Sequence, residues 1–239
     1  MKSAKRMFFF CGLFCLASCG RDKSPTRARI EPPALPLMAS IKINLPATAP
    51  AQVQNFSSDI YRPFAGIYRT YENIMKEVQP RGDYPIWTWT LSTPLGFAIV
   101  LEAEAATRDS ITWTFTQQGV SLNNWIYAKG KITADANYGV WRFYKTNSVV
   151  VSSNLIWRRN NQSGLTIEER HSYDPNPFDD LPEGDIFSTL VGHPDKSGEM
   201  KAFNLTIKIF EAKWDTTGAG SWASYNFYTG QQAENGTWR

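Results

Sequence analysis

Residues 111–116 read Ile-Thr-Trp-Thr-Phe-Thr and alternate large apolar side chains with threonine. Residues 203–209 repeat this alternation near the other end of the chain. Because successive side chains of a β-strand point to opposite faces, such a period of two predicts a strand with one buried and one wetter face. From residue 85 onward the pattern predicts strands near 85–92, 95–105, 109–118, 123–132, 138–145, 149–159, 164–171, 201–211, 220–229 and 235–239.

The predicted strands are joined mostly by short connections, which are typical of an antiparallel meander. An open sheet of ten strands would leave two long edges, and closure or layering removes them. We therefore predict a mainly β fold, in which one antiparallel meander closes into a barrel-like or two-layer sheet. One N-terminal amphipathic helix precedes it.

That helix is predicted over residues 57–79, where apolar side chains recur every three or four residues. Ser57, Ser58 or Asp59 can cap its start, and Pro63 is expected in or near the first turn. The apolar stripe fits either a coiled-coil seam or packing against the sheet. Three heptads are short for an independent coiled coil, so we expect packing against the sheet. The stripe consists of Ile60, Phe64, Ile67, Tyr71, Ile74 and Val78.

The chain begins with a short basic segment and ten apolar residues, 7–16. Ten residues rise only about 15 Å as a helix, so this stretch predicts a secretory signal peptide rather than a membrane span. Residues 16–19, Leu-Ala-Ser-Cys, resemble the lipobox of bacterial lipoproteins. The resemblance implies that a leader of residues 1–18 is removed and that Cys19 is lipidated, with palmitate among its acyl chains. An ordinary signal peptide followed by a chance cysteine is the alternative.

The same resemblance implies a lipid-anchored protein of the cell envelope. Gly20, rather than Asp, follows the cysteine, which favours the outer membrane of a Gram-negative bacterium. Residues 19–51 then form the lipidated cysteine and a tether that holds six of the fourteen Pro residues, as expected of an extended spacer. Residues 52–239 form a single β-rich domain.

Removal of the leader changes the net charge and the number of cysteines that the mature chain carries. The full chain has 25 Lys and Arg against 22 Asp and Glu. The leader takes away three basic and no acidic residues, so the remainder is formally neutral. Scattered basic residues and export to the envelope exclude nucleic acid as a partner. Cys11 and Cys15 leave with the leader, so neither a disulfide framework nor a thiol nucleophile is expected.

A long acidic loop is predicted over residues 172–200, between two strands. A loop of this length inside a compact domain is usually functional or disordered. Its carboxylates can serve as oxygen ligands for Ca²⁺, although the spacing matches no EF-hand, and a solvated acidic loop is the alternative. The candidate calcium ligands are Asp179, Asp180, Glu183 and Asp185.

His171 and His193, the two histidines of the chain, flank this loop. Glu169 and His171 share one strand face, and with His193 they form a candidate zinc site. The chain has no HExxH motif, nucleophile elbow, P-loop or Rossmann fingerprint, so we predict no cofactor and no catalytic residue.

All nine Trp lie between residues 87 and 239, and a Gly-x-Trp-x-x-Tyr motif occurs at 139–144 and at 220–225. A second Trp follows each motif Trp by sixteen residues, and this even spacing predicts cross-strand aromatic pairs. The rings either fill the β core or line a ligand site. The candidate ligand-facing aromatics are Trp125, Trp141, Tyr144, Trp157, Trp222, Tyr225 and Trp238.

Together these features predict an envelope lipoprotein that acts as a non-catalytic binding module for an apolar, glycan or protein partner. Its acyl anchor contacts the membrane. One alternative is a structural or assembly component of the envelope without a small ligand. A second alternative is an envelope hydrolase that uses the 172–200 loop.

Overall fold

A computed structural model describes residues 30–119, 121–173 and 184–239. These residues form one α-helix, α1 (Ala51–Glu77), a short 3-10 helix (Met38–Ile41) and twelve β-strands. The strands are β1 (Ile86–Ser92), β2 (Ala98–Thr107), β3 (Ser110–Gly119), β4 (Leu122–Thr133), β5 (Tyr138–Tyr144), β6 (Val151–Asn160), β7 (Gly164–Tyr173), β8 (Gly184–Gly192), β9 (Gly198–Asn204), β10 (Ile207–Trp214), β11 (Gly220–Tyr225) and β12 (Gln232–Trp238).

Each strand pairs antiparallel with the next, so the twelve strands form one sheet in chain order. The mainly β antiparallel meander with one N-terminal amphipathic helix is therefore confirmed. The sheet is not closed into a barrel, because β1 and β12 form its two edges and do not pair with each other. The predicted two layers of β-sheet are not present either, because the described strands form a single open sheet with α1 on its concave face.

An uninterrupted meander has two distinct ends. Among the fully described connections, β1–β2, β5–β6, β9–β10 and β11–β12 lie at one end, which we call the odd end. The connections β2–β3, β4–β5, β6–β7, β8–β9 and β10–β11 lie at the other, which we call the even end. Every connection of the even end belongs to the described residues.

Helix α1 crosses the strands and packs on the concave face. Near its start Phe56 stacks on Phe210 of β10, with ring centroids 4.4 Å apart, and further along Tyr71 meets Trp113 of β3 edge-on. Seven strand spacings between β10 and β3 measure about 34 Å along the sheet, whereas fifteen helical residues rise about 22 Å. The sheet therefore curls around α1, and packing against the sheet, not a coiled coil, accounts for the apolar stripe.

The helix begins six residues earlier than predicted. Pro50 precedes its first turn without a side-chain cap, and the added turn extends the buried stripe to Val53, which is fully buried. The predicted caps lie inside the helix, where Ser58 Oγ donates to the carbonyl of Gln54 at 2.9 Å. Pro63 consequently lies in the helix interior and not near the first turn.

The predicted tether is corrected for the part of it that the structure describes, residues 30–51. Leu35, Ile41 and Ile43 are buried in the same core as the helix and the sheet. The Ile43 amide donates to the Tyr61 hydroxyl at 2.8 Å, and the Arg159 guanidinium donates to the Ser40 carbonyl. From Leu35 onward the segment is thus part of the folded domain and not a free spacer.

Two strand predictions are also corrected. The predicted strand 201–211 is two strands, β9 and β10, joined by the two-residue turn Leu205-Thr206. A turn of two residues leaves a period-two pattern unbroken, which is why the sequence hides it. The predicted loop 172–200 contains β8 and the start of β9. Ser188 lies in the inward-facing row of β8 and interrupts the apolar pattern by which a strand is recognised.

The Gly-x-Trp motifs produce cross-strand pairs of glycine and tryptophan, not the predicted pairs of two aromatic rings. Each ring lies against a glycine on the neighbouring strand, where a Cβ would collide with it. At Gly139, for example, a Cβ would lie 2.1 Å from Cζ2 of Trp157. The five pairs are Gly130–Trp141, Gly139–Trp157, Gly198–Trp214, Gly220–Trp238 and Gly236–Trp222.

Candidate functional site

The interior of the curled sheet is filled. Phe64 of α1 is fully buried and meets Trp141 and Trp157 edge-on, with ring centroids 5.8 Å from each. Leu155 of β6 and Ile167 of β7 are fully buried in the same cluster. Trp141 and Trp157, two of the candidate ligand-facing aromatics, are therefore core residues, and an interior ligand site is not formed around them.

Three tryptophans are fixed at the even end by hydrogen bonds to the adjacent turns. Their Nε1 atoms donate to backbone carbonyls at 2.7–3.0 Å. Each acceptor residue has a left-handed backbone, with φ between 57° and 90°. Trp157 and Trp238, both predicted to face a ligand, are thereby held in structural contacts. The pairs are Trp157 with Ala136, Trp214 with Lys196 and Trp238 with Gly218.

Two of the remaining candidate aromatics meet at a groove near the odd end, which we call the Trp125 groove. Trp125 comes from β4 and Tyr144 from the end of β5, and both are half-buried. The cavity has a volume of about 520 Å³, within the range of small-molecule sites. Its lining consists of Asn124, Trp125, Ile126, Lys129, Tyr144, Asn147, Ser148 and Val149.

Irregular backbone on two neighbouring hairpins shapes this groove. Asn124 and Asn147 both have left-handed backbones, with φ of 51° and 52°. The Asn147 Nδ2 donates to the carbonyl of Ser121 at 2.9 Å and so joins the β5–β6 connection to the start of β4. A bulge between β3 and β4, opposite Phe115 and Thr116, precedes this region. Such bulges commonly re-aim side chains beside binding sites.

The chemistry of the Trp125 groove is suited to ligand binding. It combines two aromatic rings and two aliphatic side chains with two amides, the hydroxyls of Ser148 and Tyr144, and one ammonium group. This lining contains no carboxylate, histidine or cysteine. A flat ligand with an apolar face and a polar rim matches the lining.

Trp222 and Tyr225 lie elsewhere, on β11. Trp222 is mostly buried and stacks on Phe210 with ring centroids 6.3 Å apart. The Tyr225 hydroxyl donates to the Glu211 carboxylate, and Lys208 Nζ lies 4.7 Å from the centroid of the Tyr225 ring. These contacts hold β10 to β11 and form no common site with the Trp125 groove.

The candidate zinc ligands do not meet. His171 pairs with Ile186, whereas Gly192, next to His193, pairs with Leu165. Six residues of β7 separate these positions, which places the two histidines about 20 Å apart along the sheet. The hydrolase alternative would need His171 and His193 to meet, and this same distance separates them. His193 lines a different pocket at the even end, beside Lys42, Arg159 and Lys196.

Three of the candidate calcium ligands, Asp179, Asp180 and Glu183, lie outside the described residues. Asp185, on β8, accepts a hydrogen bond from Ser172 Oγ at 2.6 Å. Within residues 30–119, 121–173 and 184–239, no three His, Cys, Asp or Glu side chains are arranged to hold a metal ion.

Glu169 and His171 do lie together, on the inward face of β7. The Glu169 carboxylate accepts a hydrogen bond from Ser153 Oγ at 2.9 Å, and its Oε1 lies 3.8 Å from His171 Nδ1. Burial raises the pKa of Glu169 to about 7 and lowers the pKa of His171. Burial thus displaces both groups toward their uncharged forms.

Cys19 and the leader also lie outside the described residues. In the part of the chain that the structure does describe, no helix is both long and apolar enough to span a bilayer. No protein family model matches the chain, and no similar sequence is found among curated proteins.

Proposed function

We propose that this protein is a lipid-anchored, non-catalytic binding module of the bacterial cell envelope, and that the Trp125 groove binds a glycan. The observation that carries the proposal is the groove itself, in which Trp125 and Tyr144 lie beside two asparagine side chains. A sugar ring has a face of C–H groups and a rim of hydroxyls. The face stacks on an aromatic ring, and the rim bonds to amides.

The anchor half of the proposal rests on the lipobox resemblance at Cys19. It implies palmitate on the mature protein and a place at the outer membrane of a Gram-negative cell. Envelope glycans are abundant at that location, which makes a glycan the consistent choice among the ligand classes that the groove admits.

The filled interior favours one alternative, a structural or assembly component that has no small ligand. Phe64, Trp141 and Trp157 occupy the space that a carrier protein would keep for its cargo. In that case the outer surface would still make the functional contact, but it would bind another envelope protein and not a glycan.

Binding of muropeptides and of lipopolysaccharide core oligosaccharides to the purified full chain tests the proposal. We expect Trp125→Ala to weaken binding by about tenfold or more, because truncating a tryptophan anchor typically costs about 2 kcal/mol of binding free energy. Titration calorimetry or intrinsic fluorescence provides the measurement. Tyr144→Ala, at the other side of the groove, is expected to act in the same direction.

Tyr138→Ala is the matched control. Tyr138 is also a partly exposed aromatic, but it lies at the even end against Arg158, away from the groove. Its removal should leave binding unchanged. Circular dichroism confirms that each variant is folded. Failure of the parent protein to bind any of these glycans would contradict the proposal and favour the assembly alternative.

A further inference from the structure

A second pocket lies at the even end of the sheet, at the opposite end of the strands from the Trp125 groove. Three segments form it: residues 39–44, which precede α1, the β6–β7 hairpin and the β8–β9 hairpin. All three segments belong to the described residues, and the cavity has a volume of about 450 Å³. We call it the basic pocket, because its lining contains Lys42, Arg159, His193 and Lys196.

The positive charge of the basic pocket is not balanced within its lining. No Asp or Glu is among the residues that line it. Within the part of the chain that the structure describes, Lys42, Arg159 and Lys196 form no ion pair with a carboxylate. The chain without its leader is formally neutral, so this excess of positive charge is local. A cleft lined by charge of one sign attracts ligands of the opposite sign.

One carboxylate lies beside the pocket, that of Asp195 in the β8–β9 turn, where it interacts electrostatically with His193. It accepts hydrogen bonds from the amide and the hydroxyl of Ser197, at 2.9 Å and 2.6 Å. Both bonds reach the same oxygen, Oδ1, and close the turn. Against the three permanently charged side chains of the lining, this one carboxylate leaves two positive charges uncompensated. A phosphate monoester carries a charge of about −1.5 to −2 at pH 7.

Close backbone contacts hold the three segments of the pocket together. Gly164 has a left-handed backbone, with φ of 88°, and a Cβ there would lie 2.0 Å from the carbonyl oxygen of Gly192. A Cβ at Gly192 would in turn lie 2.8 Å from Cγ2 of Ile43. Both glycines line the pocket, so the two hairpins and the segment before α1 meet there without a side chain between them. The pocket is therefore built into the packing of the fold.

The cationic side chains extend from backbone that is itself fixed. The Arg159 guanidinium donates to the Ser40 carbonyl, which leaves its other N–H groups for a ligand. The Lys196 carbonyl accepts a hydrogen bond from Trp214 Nε1 at 3.0 Å, and the Lys196 amide donates to the His193 carbonyl at 3.1 Å. Donors on a fixed scaffold bind a ligand at a lower cost in conformational entropy.

We propose that the basic pocket binds a phosphate monoester. Guanidinium and ammonium groups form charge-assisted hydrogen bonds with phosphate oxygens. Three amides in the same lining, those of Asn44, Asn160 and Asn161, offer donors and acceptors to the rest of a polar ligand. The phosphate can belong to a lipid headgroup or to a soluble sugar phosphate, because the pocket recognises the group that the two share. The proposal does not depend on the Trp125 groove.

The experiment measures the binding of three phosphate monoanion and dianion sources to the purified full chain by titration calorimetry at constant ionic strength. They are inorganic phosphate, glucose 1-phosphate and dihexanoyl phosphatidic acid. Glucose and dihexanoyl phosphatidylglycerol are the matched ligands that lack a phosphate monoester. We expect the first three to bind at least about tenfold more tightly than the last two, since each charge-assisted hydrogen bond is worth about that factor. Tighter binding of phosphatidic acid than of glucose 1-phosphate assigns a lipid source, the reverse order assigns a soluble one, and both orders support the site.

Two variants, Lys42→Gln and Lys196→Asn, each remove one positive charge from the pocket. Each should weaken the binding of inorganic phosphate by about tenfold, the loss expected of one charge-assisted hydrogen bond. Lys196 has a left-handed backbone, with φ of 71°, and Asn suits this conformation. Lys196→Asn should therefore unfold at a temperature no lower than that of the parent. Lys131→Gln is the matched control, because it removes the same charge at an exposed position of β4 outside the pocket.

Three results would overturn the proposal. The first is a parent protein that binds no phosphate monoester, or that binds glucose as tightly as glucose 1-phosphate. The second is an equal loss of phosphate binding in Lys131→Gln, which would reveal a general effect of net charge. The third is a loss of phosphate binding in Trp125→Ala, which would place the phosphate in the Trp125 groove. Unchanged phosphate binding in Trp125→Ala supports two separate sites, whether or not that groove binds a glycan.

Discussion

At the residue scale, glycine in this sheet makes room for tryptophan. Gly139 and Gly220 are the first residues of the two Gly-x-Trp-x-x-Tyr motifs, and the ring that covers each belongs to the Trp eighteen residues later, on the next strand. The recurrence of Gly-x-Trp is visible in the sequence. Which ring lies over which glycine depends on strand register, and the sequence does not reveal the register.

Gly139→Ala is expected to destabilise the protein by about 1–3 kcal/mol, since its Cβ would collide with the fully buried ring of Trp157. Urea unfolding followed by tryptophan fluorescence measures the change. Gly66→Ala is the control, because Gly66 lies in α1 with nothing within 4 Å of the added Cβ. That variant should be about 0.5–1 kcal/mol more stable than the parent. A neutral Gly139→Ala would show that the ring does not require glycine.

Glu169 is the residue through which pH should act on stability. Its carboxyl is buried beneath α1, where Arg62 and Asp59 also act on it with opposite signs. Burial raises the pKa of Glu169 from 4.5 to about 7, so the folded state holds this proton more tightly than the unfolded state does. The resulting stability is fully present below about pH 4.5 and is lost as the pH rises through 7.

Glu169→Gln removes this titration while keeping a partner for Ser153. Between pH 4.5 and 8, the parent should lose up to about 3 kcal/mol of unfolding free energy relative to the variant. Because His171 Nδ1 lies 3.8 Å from the Glu169 carboxylate, the two groups titrate as a coupled pair, and the difference reports the pair. Glu168→Gln, whose carboxylate pairs with Arg158 on the outer face, is the control and should show the parent's slope. An unchanged slope in Glu169→Gln would assign the pH dependence to another group.

At the element scale, α1 stabilises the curled sheet by packing on its concave face. It contacts strands from β10 to β1, and the middle of its buried stripe is Phe64. The spacing of that stripe is evident in the sequence and predicted the contact face correctly. The helix start was not evident, because Ser57, Ser58 and Asp59 resemble caps while the residues before them continue the helix.

Phe64→Ala should cost about 3–5 kcal/mol of unfolding free energy, because the ring is fully buried between Trp141 and Trp157 and leaves a cavity when truncated. Thermal unfolding followed by far-ultraviolet circular dichroism measures it. Glu72→Ala, at an exposed position of the same helix, should change stability by no more than about 0.5 kcal/mol. Similar losses in both variants would mean that helix propensity, and not packing, is being measured.

At the scale of the whole molecule, period-two alternation predicted the antiparallel meander, and the short connections predicted its order. Closure was not predictable, because whether β1 meets β12 depends on curvature accumulated over all strands. The acidic character of residues 172–200 hid β8, whose inward Ser188 faces the polar cluster around Glu169. The local sequence pattern determines where the helix and the strands form, and packing against α1 determines how the strands are arranged.

The candidate site, like the fold, could be predicted only in part from the sequence. Trp125 and Tyr144 are predictable as candidates because aromatic residues are prominent in the sequence. Their convergence depends on a bulge and on two left-handed asparagines, and local composition indicates neither. The histidines show the reverse case. Both flank one loop in the sequence, which suggested a common site, but the sheet places them near opposite ends.

The stacking of Phe56 on Phe210 has a consequence for biosynthesis. The helix is translated first, but its partner in β10 follows about 150 residues later. At about 5–20 residues per second, roughly 10–30 s pass before that partner exists. During translation, the apolar side of the nascent helix therefore lacks this native contact. The native core is therefore completed only when the C-terminal third of the described domain has been synthesised, and the helix cannot reach its final packing before then.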